Sequence, residues 1–199
     1  MRTENGGNWK VRIVVAVSGA SGSIYAIRLL ERLRCNTEVE SHLIVSRAAE
    51  KTLLLETGKA VGELRAMAAF SYAHEDISAR LASGSFQTHA MVVAPCSMNT
   101  LSAIAAGTAS NLLLRAADVC LKERRRLILM VRETPFHLGH LKAMTAVTEM
   151  GAIVAPPLPS FYNKPQTVMD IVDHSVDRVL DLLNLGDALV RRWDGPRQT

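Results

Sequence analysis

Long apolar runs are absent from this chain. No stretch approaches the roughly 18 residues that a membrane-spanning helix requires, so no membrane partner is expected. The opening segment MRTENGGNWK is polar and lacks the hydrophobic stretch of a secretory leader. Cysteine is scarce: Cys35, Cys96 and Cys120 form no CxxC pair and are odd in number. That excludes a closed disulfide framework and points to a reduced, cytoplasmic setting. Aromatic residues make up only 5% of the sequence, too few for a base-stacking platform. The formal charge of +4 therefore does not imply nucleic acid. Part of it sits in Lys122 and Arg124–Arg126, where cations suit a helix C-terminus. Neither GxGxxG nor GxxxxGKS/T occurs, and there is no internal repeat or low-complexity segment.

What is present is an alternation of short aliphatic runs with amphipathic stretches. Val11–Val17 is nearly continuously apolar, as a strand covered on both faces should be. Further strands are expected at Val39–Val45, at Ala90–Ala94 with Pro95 breaking the run, at Leu127–Val131 and at Ala152–Ala155. Helices are expected over Ile24–Arg34, from the N-cap Ser46 to Glu56, and over Val61–Phe70 and Ile77–Leu81. Others should span Thr100–Ala106, Asn111–Arg125, His137–Met150 and Val168–Leu185. Pro156-Pro157-Leu158-Pro159 reads as an extended loop rather than a linker to a new domain. Alternating strands and helices imply a parallel sheet with right-handed crossovers. The expected fold is α/β, a single Rossmann-like or flavodoxin-like three-layer sandwich with a mostly parallel sheet. Residues 11–185 form its domain, with polar tails at 1–10 and 186–199.

Polar residues gather where these strands end, which is where open α/β sheets bind ligands. Ser18-Gly19-Ala20-Ser21-Gly22-Ser23 follows the first strand and is either a phosphate or cofactor loop or a plain tight turn. Ser46 ends the second strand, as a helix cap or as a ligand contact. Ser97, Met98, Asn99 and Thr100 crowd the turn after Cys96. Three polar turns at successive strand ends suggest one extended ligand lying across the sheet edge. Arg115, Asp118 and Lys122, at i, i+3 and i+7, share a helix stripe that leads into the strand ending at Arg132-Glu133-Thr134-Pro135. Three cations and an acid at one such end suggest a phosphate and a proton transfer. Salt-bridge ladders and a structural Arg132–Glu133 pair remain open on spacing alone.

The blocks SGASGSIYAIRLL, APCSMNTLSAIAAG, NLLLRAADVCLKERR, RETPFHLGHL and FYNKPQTV together resemble the flavin prenyltransferases over about Val11–Leu185. These UbiX-like proteins are also described as the small B subunit of hydroxyarylic acid decarboxylase systems. The resemblance implies an enzyme that joins a dimethylallyl group from dimethylallyl monophosphate to N5 and C6 of reduced FMN, without a metal. It implies that the prenylated FMN passes to a partner UbiD-type decarboxylase. It also implies a homo-oligomer, commonly a dodecamer, with active sites between subunits. Carried over by motif, Gly19, Ala20, Ser21, Ser46, Ser97, Met98, Asn99, Thr100 and Arg132 would contact FMN. Arg115, Lys122, Tyr162 and Arg178 would grip the prenyl phosphate. Glu133 would be the catalytic acid or base, Ser21 a proton relay and Glu56 a further active-site acid.

The chemistry is consistent with those side chains. A leaving phosphate of roughly −1.5 to −2 charge must be neutralised. The chain has no DDxxD for magnesium, so forked arginines, a lysine and a phenol must serve. Asp170, Asp173, Asp177 and Asp181 recur at helical spacing and read as a solvated face. His137 and His140 form an HxxH without further ligands, Cys96 reads as buried filler rather than a reactive thiol, and Trp193 as a subunit contact. Alternatives are an FMN-dependent cysteine-type decarboxylase, whose PASANT-like turn PCSMNT resembles, and a non-catalytic FMN-binding accessory subunit.

Overall fold

The computed structural model describes residues 10–186; nearly all of both tails, Trp193 included, lies outside the described residues. The strands are β1 (Val11–Val17), β2 (Val39–Val45), β3 (Phe70–Tyr72), β4 (Ala90–Cys96), β5 (Arg126–Val131) and β6 (Ile153–Val154). The helices are α1 (Ser23–Arg34), α2 (Arg47–Thr57), α3 (Val61–Arg65), α4 (Met98–Ala105), α5 (Leu112–Lys122), α6 (Leu138–Glu149) and α7 (Val168–Leu182). Every strand pairing is parallel, in the order β3-β2-β1-β4-β5-β6. This is the Rossmann strand order, and it reverses direction between β1 and β4.

Strict alternation along the strands builds two cores. Ile13, Val15 and Val17 of β1, with Ala90, Val92 and Ala94 of β4, face a layer containing α1, α2 and α7. Val14 and Ala16, with Met91 and Val93, face α4, α5 and α6. Burial on both faces explains why the strands read as unbroken aliphatic runs. On α7, Val172, Val176, Val179 and Leu180 form the buried stripe that docks on α1.

Several expectations change. The helix expected over Val61–Phe70 stops at Arg65, and Phe70–Tyr72 becomes an edge strand paired to β2. Three residues carry too little alternation to be read, and their pairing depends on distant partners. Buried His42 stacks on Phe70 at 5.1 Å and bonds the Tyr72 hydroxyl through Nδ1 at 2.9 Å. The helix at Ile77–Leu81 is only a 3-10 turn at Arg80–Ala82. Pro95 does not end β4: the β4–β5 register shifts between Val93 and Cys96, and the irregularity accommodates a residue without an N–H. The aspartate row of α7 is not a solvated face. Asp173 takes a two-pronged contact from Arg28 of α1 at 2.7 and 3.0 Å, and Asp177 lies 2.7 Å from Arg32. Asp170 instead caps α7, accepting from Gln166 N and Thr167 N at 2.8 Å.

Candidate active site

The switch point between β1 and β4 is stitched by Ser18, a buried residue just past β1. Its hydroxyl donates to the Pro95 carbonyl at 2.9 Å and accepts from Ser97 N at 2.7 Å. Ser46 N donates to the Val17 carbonyl at 3.0 Å. Three polar turns, after β1, β2 and β4, are thereby fixed side by side along one edge of the sheet.

The turn after β1 differs from the phosphate loop that its glycines suggest. Glu56, at the end of α2, accepts from Gly22 N at 3.0 Å and Ser23 N at 2.9 Å, so its carboxylate fills the N-terminus of α1. Burial works against its ionisation. Hydrogen bonds from the Ser21 side chain and from the Ser23 and Gly22 amides outweigh this and hold the carboxyl below the usual range. Ser21 and Glu56 are thus brought together, with Glu56 ionised and accepting. Because the folded-state carboxyl is the stronger acid, its stabilisation is complete above the ordinary Glu range and fades as pH falls through the folded value. Glu56→Gln should therefore lower stability at pH 7 by about 0.5–2 kcal/mol, as loss of a helix cap does. In thermal melts the two proteins should converge in acid. A stability gap independent of pH would refute the ionised cap.

Gly19 is required for a steric reason. A Cβ there would lie 2.4 Å from Ala48 Cβ, at the start of α2. Gly19→Ala should cost about 1–3 kcal/mol through overpacking, read as a lower melting temperature together with weaker flavin binding. An unchanged melt would mean that the turn moves away freely.

Below this turn lies a cavity of about 370 Å3, bordered by Gly19, Ser46, Arg47, His74, Ser97, Asn99, Thr100 and Asn111 among others. Ser46 caps α2 by accepting from Ala49 N at 3.1 Å, Ser97 caps α4 by accepting from Thr100 N at 3.3 Å, and Asn111 caps α5 by accepting from Leu114 N at 3.0 Å. Three helix N-termini thus converge on one polar cavity of ligand size. Met98 is a core residue with its side chain turned into the α4–α5 layer, so only its backbone can serve a ligand. His74 and Asn111 escaped the sequence reading. Their signal is tertiary: His74 follows the edge strand β3, and its carbonyl accepts from Leu112 N at 2.9 Å.

At the end of β5, Arg132 N continues the ladder to the Cys96 carbonyl at 3.0 Å, and Glu133 Oε1 accepts from Thr134 N at 2.9 Å. Tyr25 of α1 lies beside the Gly22 turn and within electrostatic reach of Arg132. Its ring would lie 2.9 Å from a Cβ at Gly22, and burial raises its phenol while the Arg132 charge opposes this. Tyr25, like His74 and Asn111, is a residue near these turns that spacing did not reveal. His137 caps α6, accepting from Gly139 N at 3.0 Å, with its ring centroid 3.5 Å from that of His140. Among the described residues no group of three or more His, Cys, Asp or Glu is placed to hold a metal ion. Burial pushes the Cys96 thiol up to about 12, which makes it inert filler.

The four phosphate-gripping candidates do not meet in one chain. Arg115 pairs with Asp118 at 2.6 Å and donates from Nε to the Ala82 carbonyl at 3.0 Å. Lys122 pairs with Glu123 rather than continuing the Arg115–Asp118 ladder. The expectation that Lys122 shares an end with Arg132 and Glu133 is corrected: α5 runs antiparallel to β5, so Lys122 lies near the strand's start. The six residues of β5 separate the two edges by about 16–20 Å. Tyr162 sits on the opposite face of the sheet from α5, its hydroxyl 3.5 Å from His174 of α7. Arg178, exposed one helical turn beyond His174, is 4.0 Å from Asp181.

A doubly covered parallel sheet with a polar crevice at its switch point defines a nucleotide-type cofactor protein, and the Flavoprotein family matches residues 1–180. The chain belongs to that family. It is 50% identical over 186 residues to Flavin prenyltransferase UbiX of Escherichia coli strain K12, covering 92% of this chain and 98% of that protein. The dodecameric FMN-dependent UbiX-like decarboxylase from Escherichia coli O157:H7 matches with TM-score 0.91 at 46% identity, over 93% of this chain and 100% of the other. AnUbiX (PadA1), solved with FMN and dimethylallyl pyrophosphate, matches with TM-score 0.91 at 45% identity, over 94% and 98% of the two chains. Within the flavoproteins, the chain is a member of the UbiX flavin prenyltransferases.

Proposed function

We propose that this protein transfers the dimethylallyl group of dimethylallyl monophosphate to N5 and C6 of reduced FMN, releasing phosphate and prenylated FMN. The observation that carries the reading is the crevice at the β1–β4 switch point. There a cavity of about 370 Å3 that three helix N-termini border, the Gly19-Ala20-Ser21 turn and the Arg132-Glu133 turn lie along one sheet edge in a chain half identical to a named prenyltransferase. The residues fit FMN: Glu56 already occupies the α1 amides, so the flavin phosphate belongs in the cavity capped by Ser46, Ser97 and Asn111, near Thr100 and Asn99. The Gly19-Ala20-Ser21 turn, the Met98 backbone and Arg132 are then left to face the ring system. Reduced FMN supplies the nucleophilic nitrogen and carbon.

Each side chain has a definable task. The Ser21 hydroxyl, hydrogen-bonded to ionised Glu56, can relay a proton from N5 by accepting it while passing its own to that carboxylate. As C6 bonds to the prenyl group, the prenyl double bond breaks and its other carbon takes up a proton, while Glu133 accepts the proton that C6 loses. The departing phosphate carries away the electrons of the broken C–O bond and is stabilised by Arg115, Lys122, Tyr162 and Arg178. Lys122 and Glu133 lie at opposite strand ends of one chain, so these groups are gathered from neighbouring copies in a homo-oligomer, a dodecamer by likeness to the Escherichia coli O157:H7 protein. Exposed Leu54, Leu55, Leu158 and Phe161 support such burial between copies.

The product goes to a UbiD-type decarboxylase, and residues 11–185 act as one flavoprotein domain in the cytoplasm. No helix among the described residues is long and apolar enough to cross a membrane. The cysteine-type decarboxylase and accessory-subunit readings are not favoured, because the relative at half identity carries the prenyltransferase name. Anaerobic incubation with reduced FMN and dimethylallyl monophosphate, with a chelator present, should yield a flavin heavier by one prenyl unit. Unmodified flavin in the mass spectrum, or turnover abolished by the chelator, would overturn the reading.

A further inference from the structure

The cations at the end of α5 rest on a short loop, residues 82–86, that is tied down on either side of its glycine. Arg115 Nε donates to the Ala82 carbonyl at 3.0 Å. Arg125 Nη1 donates to the Phe86 carbonyl at 3.0 Å and to Thr88 Oγ1 at 3.3 Å, and its Nη2 donates to the Gly84 carbonyl. Between these ties, Lys122 and its ion-pair partner Glu123 lie against the bare Cα of Gly84. A Cβ at Gly84 would overlap Glu123 Oε1 and come 2.7 Å from Lys122 Nζ. The backbone does not ask for glycine here, because Gly84 lies outside the left-handed region. What the position requires is space for those two side chains.

We infer that Gly84 is a positioning residue for the prenyl-phosphate grip, its missing side chain leaving the seat in which the Lys122 ammonium is held beside Arg115. The inference rests on the reading of Arg115 and Lys122 as phosphate ligands, and gives a task to a residue that reading does not use.

The atoms that a methyl would meet are the free ends of two long side chains, which swing aside at little cost. The loop backbone is bound by Arg115 and Arg125 and does not retreat. A methyl at position 84 therefore moves the ammonium and leaves the fold in place. Lysine is a compact charge on a flexible stem, so without its seat Lys122 keeps its charge and loses its location. Misplacing such a group by about 1 Å costs on the order of 100-fold in rate. Replacing a glycine whose φ any residue adopts also narrows the unfolded ensemble, so stability holds or rises. Activity and stability then move in opposite directions, which a merely structural role would not produce.

The test uses the full-length protein with reduced FMN and dimethylallyl monophosphate under anaerobic conditions. It measures kcat and KM for the prenyl donor beside FMN affinity and melting temperature. Gly84→Ala should lower kcat/KM about 10- to 100-fold, with FMN affinity within about twofold of wild type and a melting temperature equal to or above it. Adding Gly84→Ala to Lys122→Ala should slow the enzyme no further, because the methyl acts through the lysine. Wild-type turnover in Gly84→Ala overturns the inference. So does a lower melting temperature joined to weaker FMN binding, or a double variant in which the two losses multiply. Wild-type turnover in Lys122→Ala would instead sink the phosphate-grip reading and this inference with it.

Discussion

Glu133→Gln will slow formation of prenylated FMN by about 100- to 10,000-fold, the span that a positioned acid or base contributes. FMN affinity should stay within about twofold, because the phosphate and turn contacts sit on other strands. Glu133 is the first acidic residue past the end of β5, two residues beyond the strand's last pairing with β4, and its Oε1 is held by Thr134 N. That hydrogen bond fixes one oxygen and leaves the other to accept a proton. Glutamine keeps the size and the contact to Thr134 but is not a base. Single-turnover kinetics with reduced FMN separates binding from chemistry. A wild-type single-turnover rate in the variant would remove Glu133 from the proton transfer.

The second large effect concerns the phosphate grip. Lys122→Ala or Arg178→Ala should each lower kcat by about 100- to 1,000-fold, as removal of one preorganised charge does. FMN binding should be unchanged in both. A sharper outcome follows from geometry: Lys122 and Glu133 lie at opposite ends of β5, and Arg178 lies on the other face of the sheet from α5. Inactive Lys122→Ala subunits co-expressed with inactive Glu133→Gln subunits should therefore regain activity. Where one subunit supplies Glu133 and its neighbour Lys122, roughly a quarter of the sites would be intact if copies mix at random. Mixed oligomers with no activity above that of the single variants would show that the site is not shared in this way.

Much of the fold is legible in the residues. β1, β2, β4 and β5 are apolar because both faces are covered, and a strand covered on both faces reads as a run. β3 does not, since Phe70–Tyr72 is short, exposed on its outer side, and stabilised by a histidine some thirty positions earlier in the chain. The polar turns of the site were equally visible, because Ser46 and Ser97 are helix caps whose local chemistry advertises them. Ser18, Tyr25 and His74 were not singled out. A serine in a glycine-rich turn, a tyrosine in a helix and a histidine in a loop become informative only through their partners, and those lie on other strands or across the cavity.

The sequence alone determined the order of elements, the doubly buried sheet and the chemical inventory at each strand end. These follow from local periodicity and capping, which act over a few residues. Tertiary structure alone decided where that inventory goes. Glu56 takes the α1 amides and so leaves the N-termini of α2, α4 and α5 as the ones bordering an open cavity, and the antiparallel course of α5 against β5 carries Lys122 away from Glu133. Charge at a helix terminus acts within about one turn, so which anion fills it depends on which group the fold brings there.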